Sequence, residues 1–162
     1  MRFPFSIITV VSTIIFASST FAQNATDKPN IVFILTDDQD VRMESLSHMQ
    51  QVQNLLVDQG TQFTRHYAHL ALCCPSRVTL WTGQHAHNHN VTDVSPPYGG
   101  WPKVQDVGLW NKYLPVWLNE KGYNTYYSGK LYNAQSTTNW NREGKYLTGL
   151  TESVSLYRDR SP

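Results

Sequence analysis

The stretch NIVFILTDD, residues 30–38, carries the strongest structural signal in this 162-residue chain. Residues 31–35 form an unbroken apolar run rich in β-branched side chains, which is typical of a parallel strand buried on both faces. Asp37 and Asp38 follow at its end, and ligands of open α/β sheets bind beyond the carboxyl ends of the strands. The stretch therefore predicts a central strand that brings two carboxylates to a binding edge.

Helix and strand patterns alternate downstream. Apolar residues at three- and four-residue spacing over 46–56, followed by Gly60, predict an amphipathic helix. Further helices are predicted from Pro75 to just before Gly83 and over residues 115–121, with a strand over 123–128. This order predicts an α/β fold with a mostly parallel central sheet flanked by helices.

Three other segments give weaker signals. Residues 61–67 alternate weakly and predict a short strand, while residues 84–108 are rich in His, Asn, Pro and Gly and predict a long surface loop. The polar residues 141–162 match no clear element. We therefore expect the folded part to occupy residues 23–140.

The N-terminus has the three-part pattern of a secretory signal peptide. A basic start at Arg2 is followed by an apolar run from Phe5 to Phe16 and by small residues before a cut after Ala22. The apolar run is shorter than the ~20 residues that a membrane-spanning helix needs. We expect residues 1–22 to be removed and the protein to be secreted or held in a secretory or lysosome-like compartment, without a membrane span.

Composition excludes several classes of partner. The chain has 13 basic and 12 acidic residues, and loss of Arg2 with the signal leaves 12 of each. This balance, without basic clusters, gives no electrostatic footprint for nucleic acid or an anionic membrane. Aromatic residues make up 12% and charged residues only 15%, which favours a folded chain. In the secretory pathway, the Asn-x-Thr triplets predict glycans on Asn24 and Asn90.

The adjacent Cys73 and Cys74 close no useful loop, so a structural disulfide explains them poorly. An inert buried cysteine and a reactive thiol are the two interpretations. Cys73 opens the motif Cys-Cys-Pro-Ser-Arg, which ends at Arg77 and is followed by a Thr-Gly pair. This pattern resembles the signature of the type I sulfatases, whose first cysteine is oxidised to formylglycine. Together with the Asp-Asp pair and Gly129-Lys130, the resemblance covers residues 28–133.

The resemblance implies the N-terminal part of an alkaline-phosphatase-like sulfatase domain and a role for each motif. Cys73, as a hydrated formylglycine, would attack sulfur with one hydroxyl and expel sulfate by losing the proton of the other. Asp37, Asp38 and modified Cys73 would hold a hard divalent ion, Ca²⁺ or Mg²⁺. Arg77 would hold the modified side chain, and Lys130 would contact the sulfate. The implied partners are an aryl or sugar sulfate ester and the formylglycine-generating enzyme.

Several alternatives stay open. Tyr132 stands where many members have a histidine, as in the branch of glucosamine-6-sulfatases and fungal arylsulfatases, so the proton donor is unassigned. Because members run to several hundred residues, the chain could be an inactive fragment or a binding module. Hydrolysis of glucosamine-6-sulfate or of phosphate and phosphonate esters are further alternatives. Taken alone, the Asp-Asp pair is also typical of a polar turn after a strand. Lys130 taken alone could equally be a solvated lysine after a glycine turn.

Histidines alternate at positions 85, 87 and 89. On a strand, all three would share one face, as zinc ligands do in some sites. The resemblance instead favours the rim of the substrate pocket, where histidine is frequent in the segment after the signature.

Overall fold

The computed structural model describes residues 28–136, 138–140, 142–144 and 146–155. The predicted signal peptide and Asn24 lie outside the described residues. The chain divides into two compact units, Met1–Leu35 and Thr36–Pro162.

The apolar run at the end of the first unit is exposed. Residues 28–35 have no helix or strand, and the exposed fractions of residues 31–35 range from 41% for Leu35 to 85% for Val32. The prediction of a strand buried on both faces is therefore wrong for this run. An apolar run becomes such a strand only when strands on its edges and helices on its faces cover it. None of residues 28–35 takes part in a strand ladder.

In the second unit, the predicted helix over 46–56 is broken into short turns. A 3₁₀ turn spans Ser45–His48, the α-turn α1 spans Gln50–Val52, and a π-turn spans Gln53–Val57. None of these residues is buried. A helix gains most of its stability from packing its apolar face, so this stripe, left uncovered, does not support a continuous helix. The predicted strand over 61–67 is also absent.

Four helices follow in the second unit: α2 at Cys73–Thr82, α3 at Ala86–His89, α4 at Gly100–Asp106 and α5 at Leu114–Glu120. α2 and α5 confirm two predicted helices, although α2 begins two residues earlier than expected. It ends at Gly83, whose φ of 68° lies in the left-handed region that glycine adopts without strain. The prediction that residues 84–108 form one loop is wrong, because α3 and α4 lie within them.

A small parallel sheet completes the described fold. Strand β1, Tyr126–Gly129, pairs in parallel with β2, Glu152–Ser155, starting with Tyr126 opposite Glu152. β1 confirms the strand predicted over 123–128, although it begins three residues later and ends one residue later. β2 lies in the tail, for which no element was expected. Helices with a parallel sheet confirm the α/β class.

The core forms around one side of α2. Among the described residues, eleven buried side chains form it: Cys74, Val78, Trp81, Val91, Trp101, Val104, Leu109, Tyr113, Leu131, Tyr132 and Leu147. Within the part of the chain that is described, no helix combines the length and apolar character needed to cross a bilayer.

Candidate active site

Asp37 joins two cations from distant parts of the sequence. Its Oδ1 lies 3.2 Å from Nη2 of Arg77, and its Oδ2 lies 2.8 Å from Nζ of Lys130. The hydrogen bond from Lys130 is the main cause that lowers the pKa of Asp37; partial burial acts in the opposite direction, and Arg77 adds to the lowering. Asp37 is therefore held as a carboxylate between two positive charges.

The Lys130 turn is anchored through its backbone. Nη1 of Arg77 donates a hydrogen bond to the Lys130 carbonyl. The Tyr127 hydroxyl donates to the same oxygen at 2.6 Å. Arg77 is only 5% exposed, so its guanidinium is fixed by these contacts on one side of the cluster. Sequence analysis missed Tyr127, since no motif distinguishes it from other strand residues.

Cys73 contacts the second carboxylate of the acidic pair. Its Sγ lies 3.9 Å from Oδ1 of Asp38, in the geometry of a weak thiol hydrogen bond. Asp38 has a φ of 52°, a left-handed conformation that aspartate tolerates better than most residues. Because of this tight turn, the adjacent carboxylates contact different partners. Asp37 contacts the two cations, and Asp38 contacts the Cys73 thiol. One donor atom from each of Asp37, Asp38 and Cys73 lies within 4.8 Å of the others.

The two cysteines are the first two residues of α2, and their side chains point in different directions. Cys73 is partly exposed toward the carboxylates, whereas Cys74 is fully buried in the core. Burial raises the pKa of the Cys74 thiol. Arg77 follows Cys73 by four residues, one helical turn later, so both reach the same cluster.

Tyr132 lies in the core. Its side chain is fully buried, and its ring stacks on Trp101 with centroids 5.9 Å apart. Burial raises its pKa well above the ordinary value. Among the described residues, its hydroxyl has no hydrogen-bond partner. Tyr132 is therefore a core residue whose hydroxyl keeps its proton.

The alternating histidines do not share a strand. His85 precedes α3, and the other two lie in its last turn. His89 is buried; its Nδ1 accepts a hydrogen bond from the Val91 N–H, so its Nε2 carries the proton and donates to Oγ1 of Thr79. His85 and His87 are exposed. Asn90 is exposed at the end of α3, in agreement with the exposure that the predicted glycan requires.

Comparison with known proteins points to one family. The model of the sulfatase family matches residues 29–161. An arylsulfatase of Chlamydomonas reinhardtii is 40% identical over 82% of this chain and 21% of its own length. A putative extracellular sulfatase, a Sulf-1 homolog of Caenorhabditis elegans, is 40% identical over 64% of this chain and 14% of its own. The human N-acetylglucosamine-6-sulfatase is 33% identical over 67% of this chain and 20% of its own.

These alignments cover only about a fifth or less of each relative. No solved structure matches the chain significantly. The family model matches residues 29–161, which include the five residues of the site, Asp37, Asp38, Cys73, Arg77 and Lys130. The chain therefore belongs to the sulfatase family.

Proposed function

We propose that this chain supplies the nucleophile and the anion-binding cations of a sulfuric ester hydrolase of the arylsulfatase type. The observation that carries the proposal is the convergence of a thiol, two carboxylates and two cations from three separate stretches of sequence. Asp37 contacts both Arg77 and Lys130, and Asp38 contacts Cys73. Sulfatase relatives over the same residues support this assignment.

Cys73 would act after oxidation to formylglycine, whose hydrate has two hydroxyls on one carbon. One hydroxyl oxygen forms a bond to sulfur while the bond from sulfur to the ester oxygen breaks, and the alcohol leaves with a proton. The second hydroxyl then loses its proton, the carbonyl re-forms, and sulfate leaves with the attacking oxygen. Water adds to the aldehyde and restores the hydrate, so one water is consumed for each ester.

The residues beside Cys73 fit a hard divalent cation. Asp37, Asp38 and position 73 would hold it, because carboxylate and hydroxyl oxygens are the ligands that Ca²⁺ and Mg²⁺ prefer. Such an ion would supply Lewis-acid stabilisation of charge on the sulfate oxygens. Two carboxylates offer at most about four of the six to eight oxygens that Ca²⁺ binds, so water, substrate or further protein groups must complete the site.

The charges of the cluster explain why it suits an anionic ester. Asp37 and Asp38 are balanced by Arg77 and Lys130, so these four side chains together are neutral. Binding of a divalent cation by the carboxylates makes the cluster net positive, which favours an anion such as a sulfate monoester. The guanidinium of Arg77 is fixed by its hydrogen bond to the Lys130 carbonyl, so it provides a preorganised positive charge in this cluster.

A segment exchange tests the proposal, because the chain spans about a fifth of its relatives. The chain replaces the matching 134-residue segment of the Chlamydomonas arylsulfatase, and the chimera is produced with a formylglycine-generating enzyme. We expect turnover of a chromogenic aryl sulfate that Cys73→Ala abolishes and Cys74→Ala retains. Lys130→Ala should lower turnover by about 10²–10³-fold, the effect of losing one contact to a developing anion.

Turnover that survives Cys73→Ala would contradict the proposed nucleophile. A folded chimera with formylglycine at position 73 but without turnover would contradict the whole assignment. The chain alone should bind an aryl sulfate weakly and show no turnover, since the carboxylate pair is an incomplete metal site.

The substrate class and location are the finer parts of the proposal. Higher identity to the algal arylsulfatase than to the human N-acetylglucosamine-6-sulfatase favours an aryl sulfate over a sugar sulfate. The same chimera, given glucosamine-6-sulfate and an aryl phosphate, would rank these alternatives by kcat/KM. The predicted signal peptide and a relative named as extracellular support secretion.

A further inference from the structure

Each oxygen of the Asp37 carboxylate contacts a cationic side chain. Its Oδ1 pairs with Arg77 at 3.2 Å, and its Oδ2 pairs with Lys130 at 2.8 Å. The same carboxylate, together with Asp38 and position 73, is one of the three groups that would hold a hard divalent ion. Positive charges that share one carboxylate repel each other, and salt screens this repulsion little at such short separations. Metal binding by Asp37 therefore competes with its ion pairs.

The two cationic side chains differ in their freedom to move. Arg77 is only 5% exposed and also donates to the Lys130 carbonyl, so its guanidinium stays in place. The backbone of Lys130 is held by that hydrogen bond and by the Tyr127 hydroxyl, but its ammonium group ends a flexible four-carbon chain. Lys130 is therefore the partner that can leave Asp37 while the turn that carries it stays fixed.

We propose that Asp37 and Lys130 couple the binding of the hard cation to the binding of the sulfate ester, an inference that rests on the hydrolase function proposed above. When Asp37 binds the cation, Lys130 leaves the ion pair and its ammonium group pairs with the anionic ester. The ester thus replaces the negative charge that Asp37 supplied to Lys130. Each ligand raises the affinity for the other by the same factor, because coupling between two binding equilibria is reciprocal.

Titration of the purified chain with Ca²⁺ by calorimetry tests the competition for Asp37. The reference is the Cys73→Ser variant, which keeps an oxygen ligand at position 73 and removes the competing thiol. We expect Lys130→Met in this background to bind Ca²⁺ more tightly, by up to about fivefold, the upper range for an exposed ion pair. Lys112→Met removes the same charge from an exposed position and should bind Ca²⁺ as the reference does.

A second titration tests the coupling with methyl sulfate, a small sulfate monoester, at an ionic strength matched with chloride. Methyl sulfate should raise the Ca²⁺ affinity of the reference and of Lys112→Met at least about fivefold, the lower end of typical coupling between sites. In Lys130→Met the rise should be less than half as large. Lys130→Gln, which keeps a polar side chain without the charge, should give the same results, and urea midpoints show that each variant is folded.

Three results would overturn the coupling. They are Ca²⁺ binding by folded Lys130→Met that is no tighter than that of the reference, an undiminished rise with methyl sulfate in that variant, and no saturable Ca²⁺ binding by the reference. Each of them is compatible with turnover of the chimera that depends on Cys73. Failure of the hydrolase function would instead be seen as a folded, modified chimera without turnover, so the two failures are distinguishable.

Discussion

Replacing Arg77 by methionine should lower the free energy of unfolding by about 2–3 kcal/mol. Methionine keeps most of the apolar volume of the side chain but removes the charged donor that reaches the Lys130 carbonyl. Because a hydrogen bond from a charged group contributes about 1.5–3 kcal/mol, loss of this bond is the main cost. The Asp37 side chain is 47% exposed, so its ion pair with Arg77 adds no more than about 1 kcal/mol. The two contributions sum to about 1.5–4 kcal/mol. The Tyr127 hydroxyl still donates to the same carbonyl, so we expect the loss to stay below the upper end of this range.

Urea unfolding followed by tryptophan fluorescence measures this loss. Arg142→Met is the matched control, because Arg142 pairs with Asp106 between side chains that are 39% and 54% exposed. The control should cost less than about 1 kcal/mol, the upper range for exposed pairs. A double-mutant cycle of Arg77→Met with Asp37→Asn then isolates the ion pair, and its coupling energy should also stay below about 1 kcal/mol.

Two results would refute the reasoning. If Arg77→Met and Arg142→Met cost the same, burial of the guanidinium and its backbone contact do not stabilise the fold. If the coupling with Asp37 exceeds about 2 kcal/mol, the pair is more strongly shielded than a half-exposed carboxylate allows.

Three further predictions concern pH and covalent modification. The pKa of Asp37 is lower in the folded protein than the unfolded value of 3.8. Its contribution to the free energy of unfolding is therefore complete above pH 3.8 and is lost as the pH falls through the folded-state pKa. Asp37→Asn should remove this pH dependence from urea midpoints measured across the acid range. Peptide mass mapping after production in a secretory cell should find formylglycine at Cys73 and an unmodified Cys74, and modification of the second alone would contradict the motif assignment. An endoglycosidase shift should persist in Asn24→Gln and become smaller in Asn90→Gln; a shift that is unchanged in Asn90→Gln but vanishes in Asn24→Gln would contradict a glycan on Asn90.

Local signals in the sequence predicted local structure well. Gly83 ends α2 in the left-handed conformation that its position predicts. Pro115 lies in the first turn of α5, where its fixed φ suits helix entry. The residues of the candidate site were also found from their motifs, and the structure brings them together although their functional roles stay predictions.

The errors arise where a partner far along the chain decides the outcome. Residues 31–35 have the pattern of a buried strand, but the pattern does not specify which strands and helices must cover it. β2 has too few distinguishing residues to be recognised, and it forms because its backbone pairs in register with β1. Tyr127 was missed for a similar reason, since its role depends on a hydrogen bond to a carbonyl, which no side-chain motif records.

The geometry of α2 explains how a cysteine pair can provide a single reactive position. Successive residues of an α-helix point about 100° apart, so only one of two adjacent side chains can face the carboxylates. Cys73 takes that direction, while Cys74 enters the core and has a raised pKa. A buried thiol with a raised pKa is a poor nucleophile and metal ligand, because both roles need the thiolate. The core packing of Cys74 therefore sets the direction of Cys73, and the two cysteines lie in different environments despite being adjacent.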